Sequence, residues 1–401
     1  MSKQHETSSS PGTWKRTLPQ SIWALGFVSM FMDISSELVH SLLPVFLTTV
    51  LGASMLTIGI LEGIAEATVS ITKVFSGAIS DYIGKRKFLA VLGYGLSAFT
   101  KPFFPLANTI GWVFAARFTD RIGKGIREAP RDALVADLVP EDMRGTAYGL
   151  RQSLDSVGAF AGPLLALAFM AFFAGNIKAV LWIAVIPAFL SVFLLILGVP
   201  EPSQKAYEAG KRLTFSDAGR LPYQFWLIVT LGSVLTLARF SDAFLVLRAQ
   251  QLGLSPGMVP MIMIVMNVTY SIFSYPAGKA ADKFQPKMLL VPGTLLLIAS
   301  DIVLAIAATP VIAFCGAALW GIHMALTQGL LSKLVADAAP ADLRGTAFGI
   351  FNLISGGALL LSSIIAGALW NVSGAPATFM AGAVFASIAT AGLLIYKPVS
   401  R

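Results

Sequence analysis

Apolar runs long enough to cross a bilayer as helices recur along the chain, separated by short breaks of Gly, Pro and charge. A helix rises about 1.5 Å per residue, so about twenty such residues span the hydrocarbon core. The pattern predicts twelve spans. The first six fall within residues 21–50, 56–80, 87–107, 110–136, 145–171 and 177–199. The second six fall within residues 223–250, 256–281, 287–307, 311–336, 345–370 and 375–396. A polar, Ser- and Thr-rich tail covers residues 1–20, a charged linker covers 200–222, and a short tail covers 397–401. The first apolar run is too long for a signal peptide and carries Asp33 and Glu37, so no cleavage is expected. The expected fold is an all-α polytopic membrane protein in two six-helix halves, residues 21–199 and 223–396.

The halves are related. VADLVPEDMRGTAYGL, starting at Val135, returns as VADAAPADLRGTAFGI starting at Val335, half the chain later. GAISDYIGKRK over residues 77–87 returns as GKAADKFQPKM over 278–288, which aligns Gly77 with Gly278 and Asp81 with Asp282. A duplicated half in so apolar a chain predicts a transporter built from parallel repeats, with its site between them.

Composition supports the membrane reading. Hydrophobic residues make up 56% of the chain and charged residues 12%, whereas soluble domains carry about a quarter charged. The net charge of +8 does not point to nucleic acid, because the basic residues concentrate in alternate loops. One set of loops holds Lys15, Arg16, Lys85, Arg86, Lys87, Arg144, Lys205, Lys211, Arg212, Arg220, Lys283, Lys287, Arg344 and Lys397. The opposite set, near residues 51–56, 308–311 and 371–376, has no Lys or Arg. The positive-inside rule then places both termini and the linker in the cytoplasm, and the protein in the cytoplasmic (inner) membrane. The lone Cys315 lies in an apolar run, where packing is the expected role and an intrachain disulfide is impossible.

Gly77-x-x-Ser80-Asp81-x-x-Gly84-Lys85-Arg86-Lys87 resembles the signature loop between the second and third helices of the major facilitator superfamily. The resemblance implies a six-plus-six fold, a central cavity and alternating access. In the second copy Gln285 and Pro286 stand where Gly and a basic residue are usual. Physically, Gly77 allows close helix crossing, and Asp81 ends a helix where Arg86 or a neighbouring helix N-terminus can attract it. Gly77, Asp81, Gly84 and Arg86 are therefore expected to gate, as is Asp282. Topology-setting charge alone would account for Lys85 and Lys87. The repeated turns place Asp137, Arg144, Asp337 and Arg344 where the halves meet when the inner gate closes.

On the fifth span, Gly149-x8-Gly158-x3-Gly162-Pro163 resembles the antiporter motif of exporters in this superfamily, with Ala166-Leu167 in place of its final Gly pair. Gly158, Gly162 and Pro163 join the gating set on this resemblance. Small residues permit a close, movable helix contact, and Pro163 bends the helix. The plainer reading is the small-residue packing common in membrane helices.

Ionisable groups inside a span are costly unless paired or hydrated, so each is a candidate site. Asp33, Glu37 and His40 share one face of the first span, and Glu62, Glu66 and Lys73 share one face of the second. Arg117, Arg121, Lys124 and Arg131 form a stripe on the fourth. Acidic groups facing basic ones is the natural arrangement. Glu128, Arg131 and Asp132, near the end of the fourth span, are expected to be structural. Burial favours a neutral carboxyl and a nearby Arg favours a charged one, so a carboxylate that gains and loses an Arg can carry protons. Asp33 and Glu37 are the first candidates for coupling, with Glu62 and Glu66 behind them. Arg117-x-x-Asp120-Arg121-x-Gly123-x-Gly125 resembles the fourth-helix Arg-Gly motif of drug:proton antiporters, and both Arg117 and Arg121 fit its register.

The second half is less charged. Arg239 and Asp242 are placed as an i, i+3 pair. His323, Thr327 and Gln328 on the tenth span, with Asn267 and Tyr270 on the eighth, are expected to line the cavity. The expected substrate-binding set is thus His40, Arg117, Arg121, Arg239, Asn267, Tyr270, His323 and Gln328. Asp301 in the ninth span stands apart from every pattern.

These features predict a proton-coupled exporter of a small polar, anionic or amphipathic molecule. It would work as a monomer in the lipid bilayer, with no cofactor, no bound metal and no nucleic acid. Three alternatives remain: uptake of an organic anion with protons, divalent-metal transport through Asp33, Glu37, His40, Glu62 and Glu66, and a membrane sensor or scaffold that does not transport. The arginines disfavour metal. An enzyme is not expected, because HExxH, GxSxG and phosphate-loop motifs are missing and Ser35, Ser36, Glu37 and His40 lie along one helix.

Overall fold

The computed structural model describes residues 18–201, 215–340 and 343–395. Most of the charged linker and both extreme tails therefore lie outside the described residues. The first two spans are single helices, α1 (Gln20–Thr49) and α2 (Met55–Ile83). The third comprises α3 (Arg86–Thr100) and the short α4 (Phe103–Leu106), the fourth is α5 (Ile110–Asp137), and the fifth is α6 (Arg144–Phe172). The sixth comprises α7 (Ile177–Ile183) and α8 (Val185–Gly198), and the seventh α9 (Tyr223–Ala238) and α10 (Ala243–Gln251). Then follow α11 (Pro260–Lys283), α12 (Pro286–Ile306), α13 (Pro310–Thr327) with α14 (Leu330–Ala338), α15 (Arg344–Ser373) and α16 (Ala375–Ile395).

Among the described residues, 10 helical stretches are long and apolar enough to cross a membrane. The third and fourth expected spans fall short of that measure for visible reasons. The third is interrupted at Lys101 and Pro102. The fourth carries charges from Arg117 to Asp137 along α5.

Close glycine contacts hold the bundle together. α1 runs against α6, and α2 runs against α15. A side chain at Gly59 would overlap the Ser363 carbonyl, and one at Gly367 would come within 2.5 Å of the Met55 carbonyl. The α2–α15 backbones thus approach more closely than any Cβ would permit. On the other side of the seam, Asn267 of α11 donates Nδ2 to the Ala159 carbonyl of α6 at 2.9 Å.

The buried apolar residues divide unequally along the bundle. At the end away from the termini, one cluster spans both sets of six helices, including Val39, Leu42 and Phe46 of α1 with Phe244 and Leu247 of α10 and Met263 of α11. Thr48 Oγ1 also reaches Gln250 Oε1 at 3.4 Å across this seam. At the end carrying the termini, the cores are separate. Ile22, Leu25, Tyr94, Leu134 and Leu195 pack in the first set, and Phe225, Leu290, Val335 and Ile350 pack in the second. The bundle is sealed at one end and parted at the other.

The repeat shows in the helix ends as well. Lys87 donates Nζ to the Ile196 carbonyl at 2.8 Å, near the end of the sixth span. Lys287, at the start of α12, likewise donates Nζ to the Leu394 carbonyl at 2.7 Å, near the end of the twelfth. Each lysine occupies carbonyls that a helix C-terminus leaves unpaired. Arg248 does the same for α12, donating to the carbonyls of Leu304 at 3.0 Å, Ala305 at 3.2 Å and Ala307 at 2.8 Å.

Candidate functional site

Between the two sets of spans lies a cavity of about 520 Å³. A second hollow, of about 260 Å³ and sharing Gln152, Tyr270 and Gln328 with it, continues toward the terminal end of α11. The pattern of separate cores and the line of these hollows agree: the site opens toward the termini.

The polar stripes meet as the sequence leads one to expect. α2 and α5 run parallel, and three rungs join them. Arg117 Nη2 donates to Glu62 Oε2 at 2.9 Å, Arg121 Nη1 lies 3.6 Å from Glu66 Oε1, and Lys73 Nζ lies 2.9 Å from Glu128 Oε2. The sequence separation is the same for each rung, so one helix register sets all three, and the last rung reverses the charges. The innermost rung, Glu62 and Arg117, is fully buried, and Arg117 Nη2 also contacts His40 Nδ1 at 2.9 Å. It lies outside the cavity lining, whereas Glu66 and Arg121 are part of it. The structure therefore separates the two arginines that the sequence motif left equal. Arg121 faces the cavity, and Arg117 locks Glu62 away from it.

Asp33, Glu37 and His40 all line the cavity. Among the described residues, neither Asp33 nor Glu37 has a hydrogen bond or an ion pair. Behind them stand the glycines of α6. A side chain at Gly158 would meet the Asp33 Cβ at 2.9 Å, and one at Gly162 would meet the Glu37 Cβ at 2.7 Å. The two glycines expected to gate thus lie against the backbone that carries the two first-choice carboxylates. Pro163, next in sequence, is buried inside α6.

The walls differ in chemistry. The first six spans contribute charges of both signs: Asp33, Glu37, Glu66, Glu128 and Asp155 against Arg121, Lys124, Arg127 and Arg131. Glu128 and Arg131, expected to be structural, belong to this wall as well as to ion pairs. Asp155 was not anticipated; it accepts from Arg151 Nη1 at 2.7 Å, one turn away. The second six spans contribute Phe240, Met263, Met266, Tyr270, Trp320 and Met324, with Asn267 and Gln328, and only Arg239 and Asp242 are charged.

Two expectations for the second set fail. Arg239 and Asp242 form no i, i+3 pair, because residues 239–242 are not helical and the seventh span breaks there between α9 and α10. His323 does not line the cavity. It is fully buried, with Nδ1 on the Gly293 carbonyl at 2.8 Å, and so bridges α13 to α12. The tenth span is also interrupted, at Gln328 and at Gly329 with φ 84°. Both interruptions face the cavity, and unwound backbone inside a bundle is tolerated where it borders such a space.

The gating candidates of the loops and turns lie at the terminal end. Arg86 donates to Asp137 and to the Ala133 carbonyl at 3.3 Å, so this pair joins α3 to α5 inside the first set rather than across the seam. Arg144 pairs with Glu141 at 3.2 Å. Arg344 and Asp337 are exposed at the matching turn of the second set. Gly84 ends α2 with φ 67°, while Gly77 packs 3.6 Å from the Ala129 side chain, measured from an added Cβ. The side chains of Asp81 and Asp282 lie outside the described residues. Cys315, expected to pack, is exposed on the surface of α13.

The sequence reading missed Lys101. It is fully buried in the break of the third span, with Nζ donating to Asp120 Oδ1 at 3.0 Å and Ser36 Oγ at 3.2 Å. The available signal was a Lys immediately before Pro102, near the end of an apolar run. Among the described residues, no three His, Cys, Asp or Glu side chains converge as a metal ion would require.

A family model of the Major Facilitator Superfamily matches residues 25–247 and again residues 225–401. An uncharacterized MFS-type transporter of Methanocaldococcus jannaschii is 33% identical over 391 residues, covering 95% of each chain. The multidrug resistance protein MdtL of Shigella flexneri is 24% identical, covering 70% of this chain and 73% of its own. Among solved structures, a D-xylose–proton symporter superposes with a TM-score of 0.76 at 18% identity, over 94% of this chain and 98% of that one.

Proposed function

Since the chain belongs to the major facilitator superfamily, and so is a multi-pass membrane transporter of small molecules rather than an enzyme, we propose that it exports its substrate in exchange for protons. The observation that carries this reading is the placement of Asp33 and Glu37: open to the cavity, unpaired, and backed by Gly158 and Gly162. A carboxylate in that position can take a proton from one side and lose it to another when the α1–α6 contact shifts. Arg121, held only loosely to Glu66 at 3.6 Å, is the cation available to a competing substrate anion.

The two walls suit an amphipathic molecule. Its polar or anionic part rests against the charged first wall, near Arg121, Lys124 and His40. Its apolar part rests on Phe240, Met263, Tyr270 and Trp320, with Arg239, Asn267 and Gln328 as polar contacts. Export is favoured by the likeness of Gly158, Gly162 and Pro163 to the exporter motif, and by the multidrug resistance protein among the relatives. In this reading both termini lie in the cytoplasm, the protein works as a monomer in the inner membrane, residues 200–222 link the halves, and the present form faces inward. Arg86, Asp137, Arg144, Asp337 and Arg344, with Gly77, Gly84, Asp81 and Asp282, then rearrange when the inner end closes.

The test begins with a thermal-shift screen of metabolites and drug-like compounds on purified protein. The compound that stabilises it is then followed in proteoliposomes under an imposed pH gradient. Asp33→Asn and Glu37→Gln should each abolish gradient-driven flux while leaving the protein folded. Undiminished flux in both variants would reject the coupling assignment.

A further inference from the structure

The ninth span holds a carboxyl that the central site does not use. Asp301 of α12 is fully buried, and neither of its carboxylate oxygens has a hydrogen-bond partner. Among the described residues, no cation of the elements packed on α12 pairs with it; Lys279 of α11 lies over the Tyr275 ring, and Lys283 is the last residue of that helix. α16 has no ionisable residue, and α13 brings only His323, engaged with Gly293. Arg248 of α10 is occupied by the carbonyls at the end of α12. Lys333 of α14 donates to the Ala281 carbonyl, and Lys287 of α12 itself to the Leu394 carbonyl. Arg239, in the break of the seventh span, makes no ion pair with it, and Asp242 beside it is another carboxyl. A buried carboxylate with no partner is costly to hold charged inside a span.

An aromatic ring of the cavity wall lies close to this carboxyl. A side chain added at Gly382 of α16 would come within 2.7 Å of Asp301 Oδ2 and 3.0 Å of Phe240 Cε1. Carboxyl and ring therefore share the space that the glycine leaves. Phe240 also borders the cavity and belongs to the non-helical break of the seventh span. Trp320, also on the cavity wall, packs against Phe240 with ring centroids 5.6 Å apart. Its indole Nε1 is buried without an acceptor.

The internal repeat gives this arrangement a meaning. Asp301 and Trp320 occupy the repeat positions of Lys101 and Asp120, which in the first half form a satisfied ion pair. In the second half the same two places hold unpaired acceptors and an unpaired donor, both close to Phe240. A static fold would be better served by apolar residues at both. We propose that Asp301 is a second proton-carrying site, reached from the cavity when Phe240 moves aside. The carboxylic acid then gives its proton to cavity water, and the resulting carboxylate can accept from Trp320 Nε1–H. The assignment rests on the proton-coupled reading above, yet its test does not require a substrate.

Infrared spectra of the whole protein in lipid vesicles at neutral pH read the proton directly. The wild type should show the high-frequency carbonyl stretch of a protonated carboxyl without hydrogen bonds, and Asp301→Asn should lose it. Gly382→Ala keeps the carboxyl but crowds it, so the band should shift rather than vanish. Transfer to heavy water should move the band slowly in the wild type and more than about tenfold faster in Phe240→Ala, since exchange follows the population of the open form. Absence of the band from wild type, or its persistence in Asp301→Asn, overturns the proposal. So does an unchanged exchange rate in Phe240→Ala. If the band behaves as expected while Asp33→Asn and Glu37→Gln retain full gradient-driven flux, the central assignment fails and this one stands.

Discussion

Ser241 Oγ lies 3.4 Å from Glu62 Oε2, across the seam between the two sets of spans. The same oxygen accepts from Arg117 at 2.9 Å, and Ser241 Oγ also accepts from the Ala243 backbone N–H at 3.3 Å. One hydroxyl thus joins the innermost ion pair of the first half to the start of α10 in the second. It forms while the end away from the termini is sealed, and it must break when that end opens.

Ser241→Ala should therefore favour opening of the end away from the termini. A net hydrogen bond contributes about 1 kcal/mol, which is about a fivefold change in population. Spin labels on the α1–α2 and α10–α11 turns would report it as growth of a longer distance. An unchanged distance distribution would show that this contact does not bias the gate.

The Glu62–Arg117 rung is a buried pair, and its energetics differ from those of a surface bridge. Arg117→Met removes the counter-charge that lies 2.9 Å from Glu62 in the bundle, at a cost of about 3–5 kcal/mol. Glu62→Gln with Arg117→Met should recover most of that loss. Thermal unfolding in detergent of the two single variants and the double variant, read as a cycle, measures the coupling. Equal melting temperatures for Arg117→Met and the double variant would refute it.

The three glycines of the fifth-span motif are not equivalent. An added side chain at Gly162 would meet the Ile34 carbonyl at 2.9 Å, whereas one at Gly149 meets nothing within 4 Å. Gly162→Val should destabilise the fold by about 1–3 kcal/mol, since backbone cannot yield as a side chain can. Gly149→Val should melt within a degree or so of wild type, as expected for an uncrowded surface site. Comparable losses in both would mean that helix propensity, not the α1–α6 contact, decides.

Much of this was legible in the chain. The spacing of Glu62, Glu66 and Lys73 declares one helix face, and that of Arg117, Arg121 and Lys124 another. What spacing cannot supply is which face meets which, because that depends on the register of two helices distant in sequence. The break at Arg239–Asp242 had no local signal. No Gly or Pro lies there, and the unwound turn is held by Ser241 through contacts that only the assembled bundle provides. At Gln328 the signal was present, in Gly329, but it sat inside a run apolar enough to pass for one helix. His323 shows the converse limit. A polar residue on a helix facing the cavity can still turn its ring to the neighbouring helix when a carbonyl is exposed there by a glycine such as Gly293.

The single apolar cluster at the sealed end, against two separate ones at the parted end, has a calorimetric consequence. Opening the sealed end wets residues such as Leu42, Phe46, Phe244 and Leu247, and wetting apolar surface raises heat capacity. Closing the other end dries the facing surfaces there and lowers it. Where the two areas match, the heat-capacity terms cancel, and the balance between conformations follows a straight van't Hoff line. Curvature in that line would measure how much more apolar surface one gate buries than the other.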